Sequence, residues 1–385
     1  MTLMRILILG SYGNFGKRIA EQLQDLPRVT LLLAGRNLMR AQQQVAQLQG
    51  TASAALQAVA MDILAADFSD QLQRWAPDVV IHTSGPFQQQ SYRVAAACVA
   101  QGCHYIDLAD DSRFVCGIQA LDQAARDAGV LLVSGASSVP GLSAAVVDQC
   151  WQRFAVIDLI DIAIAPGNRA ERGEATVRGI LSYTGHGFPA FRQGQYGQAY
   201  GWMEPRRLDF GHPLGKRWLA NVDVADVQLF PARYQVQQQV RFQAGLELPW
   251  LHLGMVAMAW LSRCGIVRDW ARFTRPIMAA SGWFARWGSD AGGMRVEVSG
   301  QDRQGQALRY CWRLTAEHGV GPYIPTLSAI LVARKLVAAQ LPQTGARPCL
   351  DLFTLAEFEP WFRRWGIVAS SQWHQDNHEG HRNGQ

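Results

Sequence analysis

The segment Met4–Gly16 reads MRILILGSYGNFG and places a glycine-rich turn directly after an apolar strand and directly before a helix. Few folds accept that arrangement. In a βαβ unit the first glycine takes a tight turn. The second lets backbone approach a pyrophosphate, and the third lets the helix pack against the strand. The first-turn N–H groups then face the phosphate, and the helix dipole favours its charge. A dinucleotide site over Gly10, Ser11, Tyr12, Gly13, Asn14, Phe15 and Gly16 is therefore expected.

The rest of the first third keeps the rhythm that such a unit requires. Apolar runs at Met4–Leu9, Val29–Ala34, Leu56–Met61, Val79–Thr83, His104–Asp107 and Val130–Ser134 read as strands. Helical stretches at Lys17–Leu26, Leu38–Gln49, Phe68–Trp75, Tyr92–Gln101 and Gly117–Ala128 separate them. Parallel strands need such crossovers, so the expected class is α/β, a Rossmann doubly wound parallel sheet over residues 1–146. At 385 residues the chain is long enough for a second domain. Beyond Pro140-Gly141 the pattern changes to strands and long loops, with strands expected at Ile157–Ala165, Gly173–Ser182, Val236–Phe242, Met294–Ser299 and Ala307–Ala316. This is an α+β domain over 147–321, and it holds eight of the thirteen tryptophans between Trp202 and Trp312. An amphipathic helix is expected at Thr326–Gln340, and the polar stretch 370–385 reads as a frayed, flexible tail.

Composition removes several function classes. Hydrophobic residues make up 49% and charged residues 17%, which suits packed cores rather than disorder. The formal net charge of +5 is scattered, with no basic run to mark a nucleic-acid partner. Seven cysteines form no CxxC pair and no zinc spacing, which fits reduced thiols and a cytoplasmic setting. His374, Asp376, His378, Glu379 and His381 imitate a metal cluster, but a polar tail offers no second shell, and no metal is expected. Leu246–Val267 is apolar but interrupted by Glu247, Pro249, His252 and Arg263, which argues against a membrane-spanning helix.

The end of the second strand bears on the nucleotide. A carboxylate there commonly accepts from the ribose hydroxyls of NAD. Here the residues are Ala34-Gly35-Arg36-Asn37, and Arg36, with Arg40 a turn later, can grip a 2′-phosphate. NADP is therefore favoured, with NAD the alternative and an Arg36 stacked on adenine the competing reading. Asp62, after the third strand, suits either an adenine contact or a helix cap. Ser84, Gly85, Pro86 and Phe87 follow the fourth strand, where the crevice of such a sheet opens beside the nicotinamide.

Together these residues resemble the saccharopine dehydrogenase NADP-binding superfamily, in its saccharopine dehydrogenase-like bacterial branch. The resemblance rests on GSYGNFGKRIA (10–20), LAGRN (33–37), TSGPF (83–87), YIDLADD (105–111) and SVPGLS (138–143). It continues through WGSDAGGMRVEVSG (287–300), HGVGPYIPTLSAILVARKL (318–336) and GARPCLDLFTLAEF (345–358). It implies a second α/β domain inserted after the sixth strand and a C-terminal helix returning to the first domain. Residues 322–369 are then a helical segment packed on the Rossmann domain. Better-known relatives act on C–N bonds of amino acids, and some act on lipid-like enoyl or keto compounds. The loop holding Ser137, Ser138 and Ser143 would border the active crevice, and Glu174 and Thr176 match a family strand position.

Hydride transfer needs a positioned nicotinamide and a nearby proton donor or acceptor. Asp107, Asp110 and Asp111 follow the fifth strand and are candidate bases; turn closure and helix capping are the plainer alternatives. Tyr183 and His186, in the glycine-punctuated run Ser182-Tyr-Thr-Gly-His-Gly187, are further acid–base candidates, and Arg178 suits a substrate carboxylate. The Trp250–Trp287 block, interleaved with arginines, reads as core or homodimer packing, or as a lid over a hydrophobic substrate or a membrane-touching surface. The expected function is an NAD(P)-dependent oxidoreductase acting on a C–N, C–O or activated C=C bond of a small molecule. A non-catalytic nucleotide sensor and a membrane-surface lipid reductase are the alternatives.

Overall fold

The computed structural model describes residues 3–341 and 344–375. In the first domain strands β1 (Met4–Leu9), β2 (Val29–Gly35), β3 (Ala55–Ala60), β4 (Val79–His82), β5 (His104–Asp107) and β6 (Leu131–Ser134) alternate with helices. These are α1 (Asn14–Leu23), α2 (Leu38–Leu48), α3 (Phe68–Trp75), α4 (Arg93–Ala100), α5 (Ser112–Gly117) and α6 (Asp122–Asp127). β1 lies between β2 and β4, with Ile6 opposite Leu31 on one side and Val79 on the other. Helices cover both faces, so Ile6, Leu7 and Ile8 are all fully buried. The strand order reverses between β1 and β4, and a doubly wound sheet opens a crevice at that point.

The second domain follows α7 (Ser143–Cys150). It comprises β7 (Val156–Ala165), α8 (Glu174–Ser182), β8 (Gly187–Arg192), β9 (Gln195–Tyr200), β10 (Arg206–Asp209) and β11 (Lys216–Asn221). Then come α9 (Asp226–Arg233), β12 (Gln239–Ala244), α10 (Pro249–Arg263), α11 (Thr274–Gly282), β13 (Gly292–Gln301) and β14 (Ala307–Ala316). Its mixed sheet runs β10-β11-β12-β7-β13-β14, closed at the β14 edge by the late strand β16 (Val368–Gln375). Alternation along β7 sends Ile160 and Ile162 into the core.

Three expectations are corrected here. Gly173–Ser182 is not a strand; Glu174–Ser182 is the helix α8, whose Val177, Ile180 and Leu181 pack with Trp202 and Met255. Ser370–Gln375 are not frayed but form most of β16, where Trp373 packs on Tyr310 at 4.7 Å between ring centroids. Residues 376–385, with Asp376, His378, Glu379 and His381, lie outside the described residues. Finally, the C-terminal segment is not only helical. After α12 (Leu327–Val337), the strand β15 (Gly345–Pro348) pairs with β6 and extends the first sheet to seven strands.

The return to the first domain is specific. Tyr323 donates from its hydroxyl to Glu21 on α1 at 2.7 Å, and the Arg18 guanidinium lies 5.1 Å from the Tyr323 ring centroid. Ser328 donates to the Ser137 carbonyl at 2.8 Å, and a Cβ at Gly141 would lie 2.3 Å from the Ser328 hydroxyl. No helix among the described residues is long and apolar enough to cross a membrane.

Candidate functional site

The glycine loop folds as the spacing requires. Gly10 has φ +80, and a Cβ there would lie 2.8 Å from Ser84 Oγ and 2.9 Å from Thr83 Oγ1. A Cβ at Gly16 would lie 2.3 Å from the Gly10 carbonyl, so only glycine lets α1 sit this close to the turn. Gly13 caps α1 without a side chain, no acidic residue occupies the first turn, and the first-turn N–H groups have no intrahelical acceptor. An open concave backbone with unpaired donors and no local carboxylate suits a pyrophosphate.

The adenosine side is built around Tyr12. Its ring lies across Gly35, where a Cβ would come within 2.4 Å, and its hydroxyl accepts from the Asn37 N–H at 2.9 Å. The Arg40 guanidinium stacks over the same ring, 4.5 Å from the centroid. Arg36 is exposed beside it, and neither arginine forms an ion pair among the described residues. Two cations thus face the crevice without a carboxylate to neutralise them. That fits a 2′-phosphate better than a bare ribose.

Opposite, the loop after β4 is held by Gln90, whose side-chain amide donates to the carbonyls of Ser84 at 3.0 Å and Pro86 at 2.6 Å. His82 lies fully buried beneath, edge-on to Phe87 at 5.0 Å, and burial lowers its pKa to about 4. A neutral imidazole in that place supports the loop without adding charge near the cofactor.

A carboxyl-lined wall stands beyond this loop. Asp110 accepts from Gln88 at 3.1 Å, and burial raises its pKa, with Asp111 adding to the rise. Asp223, at the start of the turn after β11, has its pKa raised to about 6, first by burial and then by Asp111 and Asp110. Asp111 also caps α5 through the Phe114 N–H at 2.8 Å. The facing wall from the second domain is apolar, with Ile180, Phe188, Trp202, Phe242 and Met294. Both walls and the glycine loop line one crevice of about 1990 Å³, and Pro322 and Ile324 reach it from the C-terminal segment.

Most of the expected residues meet in this crevice. Gly10, Tyr12, Gly13, Asn14, Phe15, Gly35, Arg36 and Asp62 line it, as do Ser84, Gly85, Pro86, Phe87, Asp110 and His186. Arg178, Tyr183, Ser137 and Ser138 line it too. Five expected residues lie outside its lining. Gly16 is at the strand–helix contact, Ser11 is buried with its carbonyl accepting from Gln44, and Asn37 caps α2 through the Arg40 N–H at 3.1 Å. Asp107 is buried; its Oδ1 accepts from Ala109, Ser134 and Gly135, which ties β5 to β6, and burial raises its pKa to about 6. Ser143 also lies away from the crevice, donating to buried Asp226. His186 is exposed at the rim, with Nε2 3.0 Å from the Arg268 carbonyl.

Residues 6–133 match the sequence profile described as the saccharopine dehydrogenase NADP binding domain. The match covers most of the first domain. A probable mitochondrial saccharopine dehydrogenase-like oxidoreductase of Arabidopsis thaliana is 32% identical over 149 residues, covering 35% of this chain and 32% of that protein. The chain thus spans about a third of the length of that curated relative. The apo saccharopine dehydrogenase (L-Glu forming) of Saccharomyces cerevisiae covers 96% of this chain and 100% of its own. It aligns at a TM-score of 0.69 with 12% identity, which shows a shared fold. The profile match supports NADP as the cofactor of the first domain.

Several residues of this domain and its partner escape a sequence reading. Gln90 and His82 act through a backbone turn, and neither residue type in the run VIHTSGPFQQQ signals that task. Asp223 follows a strand end, which is the one cue available, but its neighbourhood to Asp111 arises only from folding. Glu171 bridges the domains by ion pairs to Lys17 at 2.8 Å and Arg18 at 2.9 Å.

Proposed function

We propose that the protein is an NADP-dependent oxidoreductase that passes a hydride between the nicotinamide and a carbon of a small molecule with an apolar body. The observation that carries this reading is a single crevice joining the glycine cradle and Arg36 to the carboxyl wall of Asp110, Asp111 and Asp223. NADP, when bound, supplies or accepts the hydride. The chain does the rest.

Gly10, Gly13 and the first turn of α1 bind the pyrophosphate, and Arg36 and Arg40 bind the 2′-phosphate. The loop Ser84–Phe87, braced by Gln90, positions the nicotinamide end. Reduction of a C=N, C=O or activated C=C bond needs a proton as well as a hydride. Asp110 is the group proposed to carry it. Gln88 holds Oδ1, which leaves Oδ2 to exchange the proton, and the raised pKa keeps the carboxyl protonated to higher pH than usual. Trp202, Phe188, Phe242 and Met294 exclude water and receive the apolar body, while Arg178 meets a polar or anionic end.

The test has two steps. Purified protein is titrated with NADPH and NADH by intrinsic tryptophan fluorescence, then supplied with a panel of apolar keto, imino and enoyl compounds while NADPH consumption is followed. Preferential NADPH binding with turnover of any panel member supports the reading. Tight NADPH binding with no turnover across the panel favours the nucleotide-sensor alternative, and failure to bind NADPH sinks both.

A further inference from the structure

A helix at the surface of a globular protein ordinarily turns a polar face outward. α10 does not. Its inner face buries His252, Met255, Val256 and Ala259, yet its outer face carries Trp250, Leu253, Ala257 and Trp260 at alternating spacings of three and four, with Leu261 beside Trp260. The exposure is large: 55% for Trp260, 69% for Ile266 in the turn that follows, and 81% for Trp283 after α11. Eight of the sixteen large exposed apolar side chains among the described residues fall between Trp250 and Trp287. The two ends of this segment meet, since Trp250 lies 5.5 Å from Trp287, edge to face. The segment therefore folds back on itself, which brings the apolar side chains of its two ends together. Apolar side chains gathered so closely mark a surface that something covers.

Charge indicates what covers it. From Pro249 to Gly288 the chain carries Arg263, Arg268, Arg272, Arg275 and Arg286 against a single acid, Asp269. Asp269 lies 3.7 Å from Arg272, and Glu174 of α8 lies 3.4 Å from Arg275, so the face keeps a positive excess. A second copy docked here through the same patch would set arginines against arginines, which opposes pairing. An anionic lipid surface satisfies both properties at once. Its headgroups attract the arginines, and the acyl boundary accepts Trp and Leu side chains from a helix lying in the interface plane.

We propose that α10, α11 and the turn after them dock the protein on an anionic lipid surface. This holds whatever reaction the crevice carries out. Arg268, Ala271 and Arg275 belong both to this segment and to the crevice lining, so docking sets the crevice mouth beside the lipid. A substrate with an apolar body would then enter from the bilayer side.

Flotation of the full chain with vesicles tests this. Vesicles of equal phosphatidylglycerol and phosphatidylcholine should carry the protein upward and shift its tryptophan emission to the blue. Phosphatidylcholine vesicles alone should bind at least about 10-fold less, and high salt should release the protein. Arg272→Glu with Arg286→Glu, both exposed and outside the crevice lining, should lower partition by at least about 25-fold, from roughly 5-fold per lost arginine before the repulsion of the new carboxylates is added. Trp260→Ser with Trp283→Ser should weaken it as well. Trp151→Ser, exposed elsewhere on the protein, should not. Equal binding to both vesicle types overturns the proposal. So does light scattering that shows a stable dimer dissociated by the Trp260/Trp283 pair, because the face would then belong to a second copy.

Discussion

Replacing Arg36 by glutamate probes the cofactor assignment most directly. Arg36 is exposed after β2, has no ion-pair partner among the described residues, and stands beside Arg40, which is held against Tyr12. Loss of one charge-assisted hydrogen bond at so open a position costs about 1.5 kcal/mol, the low end for such bonds. Reversal adds repulsion between carboxylate and phosphate of about 1 kcal/mol at contact in water. The sum, about 2.5 kcal/mol, corresponds to roughly 60-fold weaker NADPH binding. NADH has a ribose hydroxyl at that place, from which the new carboxylate can accept, so its affinity should hold or rise. Calorimetric Kd values for both nucleotides, measured at low and high salt, check this. The NADPH-to-NADH ratio should fall by about 60-fold at low salt and by less at high salt. Equal losses for the two nucleotides would refute the argument and return Arg36 to stacking on the adenine.

Three further outcomes follow from the same structure. Gly16→Ala forces a Cβ against the Gly10 carbonyl and should cost about 2 kcal/mol, lowering Tm by roughly 4–8 °C; a variant as stable as the parent would show that the loop yields easily. Asp110→Asn should lower kcat by about 100-fold or more while leaving the NADPH Kd within about twofold; an unchanged kcat would pass the proton-carrying role to another group, with Asp223 first in line. Asp226 is buried, its pKa is raised to about 7, and its Oδ2 has no hydrogen-bond partner. In the unfolded chain it ionises near ~3.9, so between these values the folded state holds a proton that the unfolded state has released. Its contribution to stability is therefore present at low pH and declines as pH rises toward about 7. Asp226→Asn cannot ionise, so its Tm relative to the parent should rise through that window; a constant difference would count against a buried, protonated Asp226.

The cofactor half of the site was legible because backbone recognition is local. A pyrophosphate needs glycines at fixed spacing between a strand and a helix, and Gly10, Gly13 and Gly16 stand within one such turn. The strands of the first sheet were legible for a similar reason. Burial on both faces leaves largely apolar runs, and β1 ends at Leu9 where such a run does. The second domain lacks that redundancy. Thr176, Val177 and Ile180 are β-branched and suggest a strand, but packing of Val177, Ile180 and Leu181 with Trp202 makes a helix the better solution. β15 and β16 are short or polar, with Arg347-Pro348 in one and Ser370-Ser371 in the other, so only their partners β6 and β14 define them.

The residues proposed to handle substrate follow this second pattern. Asp110 draws its partner Gln88 from the loop after β4, and Asp223 comes from the turn after β11. Trp202 stands in a loop and Met294 in a strand of the second domain. No spacing in the chain links these side chains, because each is delivered by a different element. Asp107 shows the reverse error. It ends a strand at the side of the sheet where the crevice opens, as a catalytic carboxylate would, yet its Oδ1 is already occupied by Ala109, Ser134 and Gly135. A carboxylate committed to three donors braces the wall on which Asp110 stands, three residues farther along. Removing it should therefore act on Asp110 through the loop, disturbing the pH dependence of turnover more than the binding of NADPH.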